Sequence, residues 1–144
     1  MNVPAVVFVD TSYLLAVFWR RDPYHARAVA WQRAISGAHS RLVTTEAVLW
    51  ELLNSLSPHR VRHHALAAYD RLRNDARAEV VTLDAAICSS AVEYYRARPD
   101  KDWGITDCLS FFVMQERGIR TALTTDHDFE QAGFDAPVLH GLPS

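Results

Sequence analysis

Apolar positions in this chain fall into short runs whose spacing changes from one segment to the next. Residues 5–9, Ala-Val-Val-Phe-Val, are apolar without interruption and end on Asp10, followed by the hydroxyls of Thr11 and Ser12. Such a run suits a strand buried on both faces in the middle of a parallel sheet. Ser12 is placed to cap a short helix over 13–18. Asp22-Pro23 reads as an N-cap followed by proline at the first helical position. The helix it opens carries Ala26, Val29, Ala30, Arg33 and Ala34 at helical spacing and stops near Gly37. A short strand over 41–44 follows. From Thr45 the run Ala47 to Leu53 is apolar almost all round, the pattern of a buried helix, and Pro58 ends it.

Residues 59–77 predict an Arg- and His-rich helix with Val61, Leu66, Ala67, Tyr69 and Leu72 available for packing. A strand over 79–83 comes next. Asp84 then caps a helix to about Arg98, with Ile87, Ala91, Val92 and Tyr95 on its inner side. After a polar loop over 99–104, Thr106 is expected to cap an apolar helix over 109–115 that stops at Gly118. Residues 119–125 predict a fourth strand, 126–130 an acidic turn, and the neighbourhood of Val138 a small last strand. Alternation of strands and helices predicts an α/β fold, a three-layer α/β/α sandwich around a central, mostly parallel sheet of four to five strands.

With 144 residues the chain suits one domain over 1–144 with a core of its own. Hydrophobic residues at 49% and charged residues at 22% are ordinary for a globular protein. No run approaches the roughly 20 apolar residues that span a bilayer, and the N-terminus lacks a signal-peptide pattern, so a cytoplasmic location is expected. A net charge of −2 gives no global basic footprint for nucleic acid. It speaks less against a nuclease whose acidic cluster is neutralised by metal. Lys101 is the only lysine among 15 basic residues; arginine suits bidentate phosphate contacts, but genome-level codon bias is the better account of the excess. Cys88 and Cys108 lie in predicted helices among apolar neighbours and read as buried hydrophobes.

Four acids stand out by position. Asp10 ends the central strand, where open α/β sheets bind ligands, although an N-cap there is equally ordinary. Glu51 interrupts an apolar helix, and a buried, unpaired carboxylate is unfavourable unless a cation or a proton offsets it. Glu46 competes for the same role, but at the first turn it suits the helix dipole, and five residues place it about 140° around the axis from Glu51. Asp107 follows Thr106 at a helix start, and Asp126 follows the fourth strand with Asp128 two residues on. In a doubly wound sheet Asp10, Asp107 and Asp126 meet at one edge, with Glu51 entering from the buried helix. Carboxylates so gathered repel, and a hard divalent cation, Mg²⁺ or Mn²⁺, relieves this and can serve phosphodiester hydrolysis. His59 and His63 have a zinc-like spacing with nothing to complete a site. The face carrying Arg60, Arg62, Arg71, Arg73 and Arg77 is the local candidate for phosphate-backbone contact.

Four segments carry a resemblance: Phe8-Val9-Asp10-Thr11-Ser12, Val48-Leu49-Trp50-Glu51-Leu52, Trp103-Gly104-Ile105-Thr106-Asp107-Cys108 with Leu109-Ser110-Phe111, and Leu123-Thr124-Thr125-Asp126-His127-Asp128-Phe129. In this order the chain resembles the PIN-domain family, and within it the VapC toxins of toxin–antitoxin pairs. The resemblance implies a PIN-like fold and a metal-dependent endoribonuclease. Asp10 and Asp107 would be the firmest metal ligands, with Glu51 and Asp126 completing the catalytic acids as possible further ligands. Thr11, Ser12, Thr125 and Asp128 would support them. It also implies Mg²⁺, which Mn²⁺ can replace, an RNA substrate, a homodimer and a VapB-type antitoxin. Gly104 departs from the Trp-Ser-Leu-Thr-Asp form of the third motif without touching an acid.

Other readings of the same acids are a DNA-directed nuclease, a metal-dependent phosphatase, a non-toxin PIN-type nuclease or a non-catalytic RNA-binding scaffold. A haloacid-dehalogenase-type phosphatase needs an aspartate two residues after the first, where this chain has Ser12.

Overall fold

The computed structural model describes residues 3–144. Its elements are β1 (Val6–Val9), α1 (Thr11–Phe18), α2 (His25–Gly37), β2 (Arg41–Thr45), α3 (Glu46–Ser55), α4 (Arg62–Asn74), β3 (Ala78–Val81), α5 (Ala85–Ala97), α6 (Ile105–Arg117), β4 (Ala122–Leu123) and α7 (Asp128–Gln131), then a 3₁₀ turn (Pro137–Leu139). The four strands pair in parallel in the order β3-β2-β1-β4. The chain moves outward from β1 through β2 to β3, then crosses back to add β4 on the other side. That reversal opens a crevice beyond the carboxyl ends of β1 and β4, where such sheets bind ligands.

The apolar run of β1 is buried on both faces, as its pattern predicts. Val7 and Val9 pack with Tyr13, Ala16, Ala28, Trp31 and Ile35 of α1 and α2. Phe8 packs on the opposite side with Val48, Phe111 and Met114 of α3 and α6. The aromatic rings of Trp103, Tyr94, Phe111, Phe129 and Phe134 form a connected cluster, with Phe111 meeting each of the other four at centroid separations of 4.9–6.0 Å. This cluster joins α5, α6 and the segment after β4 beneath the crevice.

Several expected boundaries shift. Asp22 Oδ1 accepts the Tyr24 N–H at 2.8 Å in a turn, so α2 starts at His25. Ser12 does not cap α1; Asp10 occupies the N-cap position. Gly104 is the N-cap of α6, two positions before Thr106, and the helix is longer than expected at both ends. Pro58 holds a turn whose carbonyl accepts the N–H groups of Val61 and Arg62, which delays α4 to Arg62. The buried stripe of α4 runs through Ala65 and Leu72, leaving Leu66 exposed. On α5, Ala91 is buried and Ile87 and Tyr94 pack beside it, whereas Val92 and Tyr95 face outward. Cys88 is exposed and only Cys108 is buried.

The expected strand near Val138 is a 3₁₀ turn, held by Arg27 and Trp31 donating to the carbonyls of Leu139 and Gly141 at 2.8 and 2.9 Å. Pro137 has no N–H to offer a ladder. Among the described residues no helix is long and apolar enough to cross a membrane.

Truncating Phe111 removes the ring shared by this cluster. Phe111→Ala is expected to destabilise the protein by about 3–5 kcal/mol, read as a lowered urea midpoint, a large share of the stability of an ordinary domain.

Candidate metal centre

Asp10 sits where a helix cap would be, yet its side chain does not cap. The N-cap backbone is extended, and no hydrogen bond runs from the helix N–H groups to the carboxylate. Instead the hydroxyls of Ser12 and Thr124 both donate to Oδ2, at 2.7 and 2.8 Å. Each hydroxyl in turn accepts a backbone N–H: Thr125 donates to Ser12 Oγ at 2.9 Å, and Asp126 to Thr124 Oγ1 at 3.0 Å. Ser12 Oγ and Thr124 Oγ1 also lie 3.0 Å apart, so the two short chains converge on the same oxygen of Asp10. This is an arrangement for a carboxylate anion, because hydrogen bonds to the charged form favour it. It also explains why β4 stops at Leu123. The N–H groups of Thr125 and Asp126 serve the site and leave the ladder.

Asp10 is only 5% exposed, and burial pushes its carboxyl above the ordinary range, with the charges of Glu51 and Asp126 adding to the effect against the two hydroxyls. Asp107, in the first turn of α6, accepts the Gly104 N–H on Oδ2 at 3.1 Å. Burial, then the charges of Asp10, Asp126 and Asp128, push its pKa up to about 7. A Cβ at position 104 would meet Asp107 Oδ2 at 3.6 Å, an ordinary contact, so the glycine there is not a steric necessity.

Asp126 Oδ1 accepts the Asp128 N–H at 2.8 Å, folding the acidic turn back on itself. Burial, Asp126 and Asp102 raise the Asp128 carboxyl, and Lys101 acts in the opposite direction. Asp107, Asp126 and Asp128 each present an oxygen within 4.8 Å of the other two. Asp128, expected to stand behind the ligands, is therefore in the acidic cluster itself, while Asp10 adjoins it from the end of β1.

Glu51 accepts the Thr11 hydroxyl at 2.7 Å, which ties α3 to the residue after Asp10. Glu46 is engaged elsewhere, accepting the Leu83 N–H at 2.8 Å and pairing with Arg73 at 3.3 Å. Thr125 enters the site through its backbone N–H. The residue sequence reasoning missed is Thr124, fully buried and bonded to Asp10. Its only signal was a place one position before Thr125 at the end of a strand, where alternation sends one hydroxyl inward.

The arginine face is less available than its sequence suggests. Arg73 is paired with Glu46 and lies over Tyr69, and Arg62 donates to the Ser57 carbonyl. Arg71 lines a separate cavity of about 720 Å³ beside Tyr13, Phe18 and Leu72, which none of the four acids borders. His63 and His64 stack on each other near Phe18, and no metal-ligating group among the described residues includes a histidine.

Three carboxylate oxygens this close, with a fourth carboxylate buried alongside, make a hard-oxygen donor set suited to a divalent cation. The family comparison points to the same class. A PIN domain family model matches residues 7–135, and the chain belongs to that family. It is 33% identical over 132 residues, 90% of this chain and 95% of the relative, to the 23S rRNA-specific endonuclease VapC20 of Mycobacterium tuberculosis.

The crystal structure of that species' VapC20, described as a sarcin–ricin loop cleaving toxin, matches with a TM-score of 0.73 at 30% identity, covering 89% of this chain and 95% of that one. VapBC2 of Rickettsia felis, bound to a DNA fragment from its promoter, matches at 0.66 and 14% identity, covering 91% and 96%. FitAcB of Neisseria gonorrhoeae matches at 0.64 and 16%, covering 94% and 99%. These last two share the fold.

The crowding of carboxylates sets a pH dependence. An Asp107 that holds its proton to about pH 7 when folded, against 3.8 in the reference state, makes the folded protein bind more protons between those values. Its contribution to stability is therefore lost as pH rises through that window. In chelator, the melting temperature of the wild type is expected to fall more steeply between about pH 5 and 7.5 than that of Asp107→Asn. Millimolar Mn²⁺ at the upper pH should raise the wild-type midpoint by linkage. Parallel pH profiles for the two proteins would rule out the repulsion.

Proposed function

We propose that residues 1–144 act as one metal-dependent endoribonuclease domain, the VapC-type toxin of a toxin–antitoxin pair. The observation that carries the reading is the meeting of Asp107, Asp126 and Asp128 within 4.8 Å beside an Asp10 whose carboxylate is turned away from capping. A capping aspartate explains neither the hydroxyls aimed at Oδ2 nor the gathering of acids from three separate parts of the chain. The named activity of the VapC20 relative makes RNA the substrate class, and its sarcin–ricin target is the first substrate to try.

Asp10, Asp107 and Asp126 are the proposed ligands for Mg²⁺ or Mn²⁺, with Asp128 and Glu51 at hand to extend the set. A divalent cation bound there would supply Lewis-acid polarisation of a phosphate oxygen and a more acidic water. The protein's own groups prepare for this. Ser12 and Thr124 favour the ionised form of Asp10 against its burial and fix its orientation, in the manner of outer-shell partners that tune ligands. Thr11 orients Glu51, and the Gly104 N–H orients Asp107.

Arg60, Arg62, Arg71 and Arg73 are the proposed backbone contacts, Arg73 less freely than the others because of Glu46. A VapB-type antitoxin and a homodimer belong to the same reading, which rests there on the VapC relative.

The test compares wild type and Asp10→Asn on a hairpin RNA carrying the sarcin–ricin loop and on a control hairpin, with Mg²⁺, Mn²⁺ or a chelator. Wild type should cut with either metal and not in chelator. Asp10→Asn should be slower by about 100-fold or more, the scale seen when a group that stabilises transition-state charge is removed. Equal cleavage by the mutant would sink the metal-site reading. In the same assay Glu51→Gln should impair cutting more than Glu46→Gln; the reverse order would move the role to Glu46.

A further inference from the structure

A second concavity is bordered by Cys108, the residue after Asp107, and by none of the clustered acids. It is a cleft of about 470 Å³ between the C-terminal half of α5 and the loop that leads into α6, lined by Val92, Tyr95, Arg96, Arg98, Lys101 and Trp103. That volume is of the order of small-ligand sites. Its floor, Trp103, is 4% exposed, with the Arg98 guanidinium 5.3 Å and the Lys101 ammonium 5.8 Å from its ring. The indole N–H of Trp103 is the one buried side-chain polar group among the described residues that lacks a hydrogen-bond partner. At the rim Tyr95 is 54% exposed, an aromatic surface that the core does not use.

The cations here differ in how firmly they are held. Arg98 donates to both oxygens of Asp100, at 3.0 and 2.9 Å, whereas Arg96 meets Glu93 through one contact at 3.3 Å at the surface, where a stronger anion displaces such a partner readily. Lys101 takes part in no ion pair found among the described residues. It lines the cleft on the loop that leads into α6, six residues before Asp107 in the chain.

An RNA-cutting site built from carboxylates repels the strand it must hold, and a chain of net charge −2 supplies no general attraction. Cations beside an exposed aromatic ring are the usual means of gripping single-stranded RNA, the phosphate on the charge and the base on the ring. We propose that this cleft is a nucleotide subsite, taking one nucleotide of the RNA next to the cleaved bond, its base stacked on Tyr95 and its phosphate on Lys101, Arg96 and Arg98. The proposal rests on the ribonuclease reading above.

The experiment measures, by fluorescence anisotropy in chelator, the Kd of the labelled sarcin–ricin hairpin for wild type, Tyr95→Ala, Tyr95→Phe, Lys101→Gln and Arg33→Gln. Arg33 is an exposed arginine on α2 and controls for net charge. Tyr95→Ala should raise Kd about 10-fold without changing its salt dependence, as loss of one stacked base does. Tyr95→Phe should bind like wild type. Lys101→Gln should raise Kd several-fold and lower the slope of log Kd against log salt by about 0.7 to 1. Arg33→Gln should do neither.

If wild type binds and cuts the hairpin while Tyr95→Ala and Lys101→Gln stay within about twofold of it, the subsite is wrong and the ribonuclease reading stands. If these variants instead lose a co-expressed antitoxin and bind RNA normally, the cleft is a protein site and the proposal also falls. If wild type neither binds nor cuts any RNA offered, both readings fall together.

Discussion

Repulsion among carboxylates brought together in a poorly solvated crevice is the constraint around which this molecule is arranged. Asp10 arrives at the end of the most buried strand, Asp107 at the start of the helix beneath the aromatic cluster, and Asp126 and Asp128 on the turn after β4. Burial and mutual charge both act against ionisation, and at Asp107 they hold the proton to near neutral pH. A fold under no other demand would protonate or disperse such groups. Here the neighbouring chain does the reverse, directing two hydroxyls and, behind them, two backbone N–H groups toward a single oxygen of Asp10.

That investment has structural consequences away from the site. The N–H groups of Thr125 and Asp126 are diverted from sheet pairing, which stops β4 after Leu123; at its other end an isolated bridge pairs Thr121 with Asp135. The short strand is stabilised from the other side by aromatic packing. Phe129, in the helix just after the acidic turn, is fully buried against Phe8 and Phe111. One ring thus anchors the turn that carries Asp126 and Asp128 to the strand that carries Asp10 and the helix that carries Asp107. Packing supplies the order that a two-residue strand cannot.

Much of this is legible in the residues. The run before Asp10, the apolar surroundings of Glu51 and the strand–helix alternation define a parallel sheet and the edge at which acids gather. What escapes is set by side-chain direction and by phase. Thr124 and Thr125 are indistinguishable by type, yet alternation along the strand sends the Thr124 hydroxyl to Asp10 and leaves Thr125 to contribute its backbone. Tyr94 and Tyr95 are likewise adjacent and alike, and one packs on Trp103 while the other faces solvent. On α4 a shift of one residue exchanges Leu66 for Ala65 at the core. The α4 difference depends on where that helix starts, which the turn at Pro58 sets and periodicity does not register. Helix α5 starts after Asp84 as expected, and its two tyrosines differ only in the direction each faces.

The contrast between Glu46 and Glu51 shows how location turns one residue type to two uses. Glu46 lies in the first turn of α3, where the free N–H groups and helix dipole already favour an anion. Its carboxylate is then consumed by the Leu83 N–H and Arg73, joining α3 to the segment after β3 and to α4. Glu51 lies beyond the dipole's reach and has a single hydroxyl, that of Thr11, as its hydrogen-bond partner. One carboxylate is saturated by donors that hold the fold together, whereas the other keeps acceptor capacity beside a buried aspartate. Two acids on one helix, five residues apart, are thus separated by their donors: Glu46 closes a structural joint, and Glu51 has the Thr11 hydroxyl alone as its partner among the described residues.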